Sequence, residues 1–265
     1  MVLIKPTPDI NRVKFDVESG VVDRASAELE INQFDLYAVE TALIIKETLG
    51  GLVTAVSMAP PQGERALREA IARGVDRAIL LTDRRFAGAD TLATSYTLAA
   101  AVRKLGRYDL ILCGEKSVDG DTAHVGPEVA EYLGVPHAAF VTRVVDVSNE
   151  RIVVESDYGD AYYLLELRLP ALVSLSRPLF FSDRAVEPRT PKLSDVLRAR
   201  KTKVEVWNAD HLIGLADPEG FGLAGSATRV VRAFSALERG RNPVMVVGDE
   251  GVDRIIEALK SRGLI

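Results

Sequence analysis

The residues able to do chemistry centre on 109–134, DLILCGEKSVDGDTAHVGPEVAEYLG. Leu110, Ile111, Leu112 and Cys113 form an apolar run that reads as a buried strand. Gly114 ends the run, and Glu115 to Asp121 make a polar turn with Gly120 inside it. The pattern predicts an amphipathic helix from near Thr122, with Val125, Val129, Tyr132 and Leu133 at helical spacing. Asp121 or Thr122 is its N-cap, and Pro127 falls in the first turn, where proline is tolerated. A strand, a glycine-bearing loop and a helix N-terminus in succession aim backbone N–H groups and a positive dipole end at one spot. A phosphate or pyrophosphate fits there. The spacing is neither G-x-x-x-x-G-K-[ST] nor G-x-G-x-x-G, and a plain structural turn is the other reading.

Other polar residues are weighed the same way. Asp119 and Asp121 lie two apart, but acids in such loops more often brace a turn than act as a general acid and base. Thr91, Thr94 and Ser95 fall in the first turns of a predicted helix, where hydroxyls can donate to a phosphate or a flavin carbonyl, or simply cap the helix. The histidines, His124, His137 and His211, fit no metal-ligand spacing. No serine sits in a G-x-S-x-G elbow. The lone cysteine, Cys113, reads as a small buried hydrophobe and allows no internal disulfide.

Alternating elements must position these groups. Val2 to Ile4 reads as a first strand. Val13 to Asp16 and Val21 to Asp23 flank a turn and suggest a hairpin. Asn32 is placed as N-cap of a helix over Gln33 to Leu49, ended by Gly50 and Gly51. Leu52 to Met58 is a strand, followed by a helix to Arg73. Ala78 to Leu81 is the next strand, and Asp90 or Thr91 opens a helix to about Leu105. This alternation predicts a parallel sheet with helices on both faces, whose ligands sit beyond the strands' carboxyl ends. The loops there are Lys5 to Asp9, Met58 to Pro61, Thr82 to Asp90 and Gly114 to Gly126. From Ala138 the strands Phe140 to Val147, Ile152 to Ser156, Ala161 to Arg168 and Ala171 to Leu175 follow closely, which suggests an antiparallel extension.

Beyond Arg177 the alternation stops. Residues 187–203 carry Arg189, Lys192, Arg198, Arg200, Lys201 and Lys203 around Leu193 and Leu197. A glycine-broken stretch follows, with Trp207, Leu212, Ile213, Leu215, Phe221 and Leu223, a set expected to make a poor core of its own. Asp249 to Arg262 reads as an amphipathic helix. The 265 residues are 47% apolar and 27% charged, ordinary for a globular chain. A net charge of −5 gives no electrostatic case for nucleic acid or an anionic membrane. No apolar run of about 18 residues is present, so membrane insertion is not expected, and the MVLIKPTPD start lacks a secretory pattern. The expected location is cytoplasmic.

The wording of several stretches adds to this. DGDTAHVGP after a strand ending in CG resembles the nucleotide loop of the electron transfer flavoprotein β-subunit family, whose bifurcating members carry DGDTAQVGP. INQFDLYAVETAL, VSMAPPQGERALREAIARGVDRAILLTD, RRFAGADTLATSY and EPRTPKLSDVLRARK are similar to that family in the same order, so the resemblance covers nearly the whole chain. It implies an α/β, Rossmann-like, doubly wound and mostly parallel sheet with an antiparallel extension and a C-terminal arm. The implied division is a nucleotide- and flavin-binding domain at 1–185, a partner recognition loop at 186–203 and an arm at 204–265 against an α-subunit.

The resemblance also implies site residues. The adenine-nucleotide pocket maps to Leu3, Asn32, Gln33, Phe34, Asp35, Met58 and the stretch 110–125. Within that stretch the contacts are Cys113, Gly114, Val118, Asp119, Gly120, Asp121, Thr122, Ala123, His124 and Val125. Asp90, Thr91, Thr94 and Ser95 map to the flavin side. Leu193 matches the docking anchor, with Arg198, Arg200 and Lys201 around it. His124 replaces the family's usual glutamine, Gln33 a usual proline, and IKPTPDI the commoner VKQVPDT. The small residues Gly88, Ala89 and Gly120 leave room for a ring. Those small residues, with the wording RRFAGADTLATSY and DGDTAHVGP, favour FAD in this subunit, with NADH as electron donor and division of its electrons, over AMP as a structural ligand. Expected partners are the α-subunit and a dehydrogenase or quinone oxidoreductase. A universal-stress-type nucleotide-binding regulatory domain and an ATP pyrophosphatase are the readings from other classes. The long tail argues against the first, and the lack of a P-loop lysine and of a Ser-Gly-Gly-x-Asp loop against the second.

Overall fold

In the computed structural model, residues 1–8, 14–16, 21–23, 29–229, 231, 245 and 248–265 are described. They fall into two units, 1–229 and 230–265. The first unit opens with strands β1 (Val2–Leu3), β2 (Pro6–Pro8), β3 (Lys14–Asp16), β4 (Val21–Asp23) and β5 (Leu29–Ile31). Then come α1 (Gln33–Leu49), β6 (Thr54–Met58), α2 (Glu64–Arg73), β7 (Arg77–Leu81), α3 (Thr91–Leu105), β8 (Leu110–Gly114) and α4 (Val125–Leu133). Strands β9 (His137–Val147), β10 (Arg151–Asp157), β11 (Tyr162–Arg168), β12 (Ala171–Phe181) and β13 (Arg184–Ala185) follow. The unit closes with α5 (Leu193–Lys201), β14 (Glu205–Trp207) and α6 (Gly222–Gly225). The second unit contains α7 (Asp249–Lys260).

The main sheet runs β11-β10-β9-β12-β8-β1-β6-β7-β14, with β13 on β12. Side chains alternate across it, as strand geometry requires. Val2, Ala55, Ala78, Leu80, Leu112 and Val173 face one core, shared with α1 and α2 through Ala38, Val39, Leu43, Leu67 and Ile71. Leu3, Val56, Ile79, Ile111 and Leu172 face the other, with Leu98, Ala101 and Val102 of α3 and Val129 and Ala130 of α4. The sheet is therefore wound on both faces, and each fully buried leucine or isoleucine stabilises it by roughly 1.5–3 kcal/mol. The order reverses at β1, whose neighbours are β6 and β8. That reversal is the switch point of a doubly wound sheet.

Three expectations change here. Ala171 to Leu175 lies inside the sheet, in β12, parallel to both β8 and β9, and the antiparallel pairs of the main sheet are β9–β10, β10–β11 and β12–β13. Residues 171–176 are buried on both faces, the habit of a central parallel strand. The stretch after 204 contributes to the core of the first unit. β14 extends the sheet beside β7, and Trp207, Leu212 and Phe221 are buried on the α3 face, while Ile213, Leu215 and Leu223 are exposed. Its glycines permit this by letting turns lie close to α3: a Cβ at Gly220 would stand 2.4 Å from the Tyr96 ring. The segment 187–203 is not all loop, since α5 occupies Leu193–Lys201. The hairpin is present as β3 and β4, but its turn lies outside the described residues.

Candidate functional site at the switch point

The parallel strands β1, β6, β7 and β8 end on the same side, and Lys5, just after β1, reaches the loop 115–124 that follows β8. That loop is held from below by the start of α1. Asn32 occupies the N-cap position as predicted, yet its side chain does not cap α1. Its amide donates to the Lys116 carbonyl at 2.8 Å and accepts from the Val118 N–H at 3.1 Å. Asp35 accepts from the Lys5 N–H at 2.7 Å and the Gly114 N–H at 2.9 Å. Asn32 is 1% exposed and Asp35 5%, so both side chains brace the loop from inside the protein. Burial pushes the Asp35 carboxyl up to about 7, against the N–H donors of Lys5 and Gly114 and the Lys5 charge, which favour the ionised form.

The upper side of the loop is fastened by charge. Lys5 Nζ donates to Asp119 Oδ1 at 2.6 Å and to Ser117 Oγ at 3.1 Å. Burial of Asp119 is outweighed by these bonds, which hold its carboxyl below the usual range. Lys116 pairs with Asp121 at 2.7 Å, and its ammonium also stands 5.8 Å from the Phe34 ring. Arg177, from β12, lies 5.6 Å from the centre of the same ring and donates to Gln33 Oε1 at 2.5 Å. Ser176 donates to Glu115.

The helix begins later than predicted. Asp121 and Ala123 adopt left-handed backbone, φ 52° and 58°, which no helical residue can share, and His124 takes the N-cap position ahead of Val125. The consequence is chemical. The N–H groups of Thr122, Ala123, His124, Val125 and Gly126 donate to no acceptor among the described residues. Thr122 and His124 are exposed, and Ala123 and Val125 half-buried. A Cβ at Gly126 would lie 2.9 Å from Cys113 Sγ and 3.2 Å from Ser174 Cβ, so only glycine lets this turn sit on the end of the sheet.

A second helix N-terminus lies beside the first. Asp90 caps α3, accepting from the Ala93 N–H at 3.0 Å. Ser95 donates to Glu128 Oε2 at 2.9 Å and is 3.4 Å from the Val125 carbonyl, and Thr91 donates to Glu128 Oε1 at 3.2 Å. Glu128 in the first turn of α4 thus ties the two helix starts together. Thr94 is half-buried on the same turn. Leu3 and Cys113 are buried in the core, and Met58 is half-buried at the end of β6. Burial, then the nearby Asp35 charge, raises the Cys113 thiol far above its ordinary value. Gly88 does not leave open space: its absent Cβ position is 3.3 Å from Leu223. Sequence reading named Lys5 only as the start of a loop and passed over Glu128 and Arg177. A cation just after β1 and an acid in the first turn of α4 were visible signals, whereas Arg177 is brought in only by the placement of β12.

Away from this site, α5 is fixed at both ends. Arg189 pairs with Glu40 at 2.8 Å and Glu47 at 2.8 Å on α1. Arg68 of α2 donates to the carbonyls of Ala199, Arg200 and Thr202, capping the far end of α5. Leu193 is 75% exposed and Leu197 48%, with Arg198, Arg200 and Lys201 around them in solvent. Among the described residues no group of His, Cys, Asp and Glu is placed to hold a metal, and no helix is long and apolar enough to cross a membrane.

Fold and site define a doubly wound α/β protein with a loop at its switch point whose backbone N–H groups from Thr122 to Gly126 have no acceptor among the described residues. Residues 19–212 match the electron transfer flavoprotein domain. The chain is 40% identical over 268 residues to the electron transfer flavoprotein subunit beta of Thermoanaerobacterium thermosaccharolyticum, covering 100% of this chain and 99% of that one. It is 36% identical over 269 residues to the caffeyl-CoA reductase-Etf complex subunit CarD of Acetobacterium woodii, covering 100% and 99%. It is 38% identical over 256 residues to protein FixA of Bradyrhizobium diazoefficiens, covering 94% and 86%. The chain belongs to the electron transfer flavoprotein family, on its β-subunit side, and electron transfer is the work of that family.

Proposed function

We propose that this chain binds FAD at the switch point and, paired with an α-subunit, carries electrons from NADH to a partner dehydrogenase or quinone oxidoreductase. The observation that supports it is the run of unsatisfied N–H groups from Thr122 to Gly126 beside the start of α3. A diphosphate carries the charge and the acceptor oxygens that such a run requires. Thr122 to Gly126 would hold the phosphates and Thr94 would face the rest of the cofactor, while Thr91 and Ser95, bonded to Glu128, would hold the two helix starts together. Asn32, Asp35 and Lys5 would keep the loop in place. Bound FAD would supply hydride acceptance and onward electron transfer, with the two electrons divided between two routes. The chain itself binds and orients. The bifurcating reading is supported by DGDTAHVGP and RRFAGADTLATSY.

Counting the cofactors released from the purified heterodimer tests this. Two FAD and no AMP are expected, and one FAD with one AMP would reduce the site to a structural nucleotide pocket. The exposed Leu193 and Leu197 on the fixed helix α5, within a basic rim, support docking of the electron-transfer partner there. Leu193→Ala should slow transfer to that partner while cofactor content stays at the wild-type level.

A further inference from the structure

Residues 217–228 lie across the β7–α3 loop as a continuous strap. Their contacts join main chain and side chains of that loop and of α3. The Asp217 N–H donates to the Tyr96 hydroxyl at 2.6 Å, and the Leu223 N–H donates to the Ala87 carbonyl at 3.0 Å. Phe221 packs edge-on against Phe86, with ring centroids 5.3 Å apart. Gly222 has φ 54°, and a Cβ there would stand 2.1 Å from the Arg85 carbonyl oxygen. No residue with a side chain fits so close to the loop.

The end of the strap is fastened to one acid. Asp90 Oδ2 accepts from the Thr228 N–H at 2.8 Å and from the Thr228 hydroxyl at 3.0 Å, while Oδ1 is taken by the Ala93 N–H. The Asp90 N–H in turn donates to Ser226 Oγ at 2.9 Å, and that hydroxyl donates to the Gly222 carbonyl at 2.8 Å. Burial of Asp90 is outweighed by these donors, and its carboxyl is held below the usual range. Both carboxylate oxygens therefore already have partners within the chain. Asp90 sits one residue before Thr91, and Thr91 and Ser95 reach Glu128 at the start of α4. Strap, α3 and α4 converge on one place, and half-exposed Leu223 puts an apolar surface beside Gly88 there.

We infer that residues 217–228 form a wall of the nucleotide site, and that Asp90 serves as the fastener of that wall rather than as a cofactor ligand. Asp90 is thus a positioning residue: it acts through Ser226 and Thr228. The inference rests on the site reading above and assigns part of that site to a segment far away in the chain. Closing this side of the site retards escape of whatever nucleotide the loop 115–126 holds.

The test uses the purified heterodimer with its own bound nucleotide, FAD or AMP, and follows release after dilution. Ser226→Ala and Thr228→Val each remove a hydroxyl from a half-buried or exposed position, so both variants fold. Each should release nucleotide about tenfold faster, the equivalent of one charge-assisted or bridging hydrogen bond. Thr228→Ser keeps the hydroxyl and should restore the wild-type rate. Wild-type release rates in both Ser226→Ala and Thr228→Val, or fast release from Thr228→Ser, would overturn the strap. A wild-type heterodimer with no nucleotide in this subunit would overturn the site reading itself, and the strap with it.

Discussion

Asp35→Asn separates the two roles of the buried carboxyl, as acceptor for two backbone donors and as a charge held out of water. An asparagine of the same shape keeps one oxygen. It can accept from either Lys5 N–H or Gly114 N–H, and its NH2 must then face the other donor. The variant should lose one bond and leave one buried N–H unsatisfied, a cost of about 1–3 kcal/mol. The wild-type group has a compensating burden. Its folded value, raised to about 7 by burial, exceeds the unfolded value, so the folded state binds more protons across the window between about 4 and 7. Stability from this group is full at acid pH and falls as pH rises through that window. Between pH 5 and pH 8 the loss is about 2–3 kcal/mol, and asparagine is free of it. The variant should thus be less stable than wild type at pH 5 and close to equal, or better, at pH 8. Urea unfolding of the chain, followed through its single tryptophan, the buried Trp207, measures both. A deficit that stays constant or grows from pH 5 to pH 8 would refute the assignment of Asp35 as a carboxyl whose ionisation is opposed by burial.

Gly126→Ala should destabilise the fold by about 1–3 kcal/mol, because its Cβ has no room against Cys113 and Ser174, whereas Gly120→Ala should stay within about 0.5 kcal/mol, since its Cβ meets only the movable side-chain ends Ser117 Oγ at 3.1 Å and Lys5 Nζ at 3.8 Å; melting curves of the two decide. Lys5→Met breaks a half-exposed ion pair and should cost less than about 1 kcal/mol overall, yet hydrogen exchange over 116–121 should quicken; unchanged exchange would mean that Asn32 alone holds the loop. Cys113 should resist alkylation at pH 8 in the folded chain and react once the chain is denatured, because its thiolate is disfavoured and its sulfur enclosed; rapid native labelling would contradict its place in the core.

Periodicity along the chain settled the winding of the sheet. Helices α1, α2 and α3 lie within a residue or so of where apolar spacing and terminal glycines put them, because those are local signals: 3.6-residue burial and a left-handed stop at Gly50 or Gly74. The order of motifs was equally legible, and with it the family. Local pattern could not place Ala171 to Leu175, since a strand buried on both faces reads the same in any interior slot of a sheet. It could not foresee that Asp121 and Ala123 would turn left-handed and delay α4 to Val125, which is what leaves the row of amides unsatisfied. Nor could it tell a ligand-facing side chain from one that braces the loop. Asn32, Asp35 and Asp90 are polar residues at strand and helix ends, the same types at the same positions in either role. Only the packing of β1, α1, β8 and the strap of 217–228 shows that their oxygens and nitrogens are already occupied, by partners up to 138 residues away in the chain. The types of residue at the site belong to the sequence. Which of them keep a free donor is decided by distant backbone, because a hydrogen bond made inside the protein is one no longer offered to a ligand.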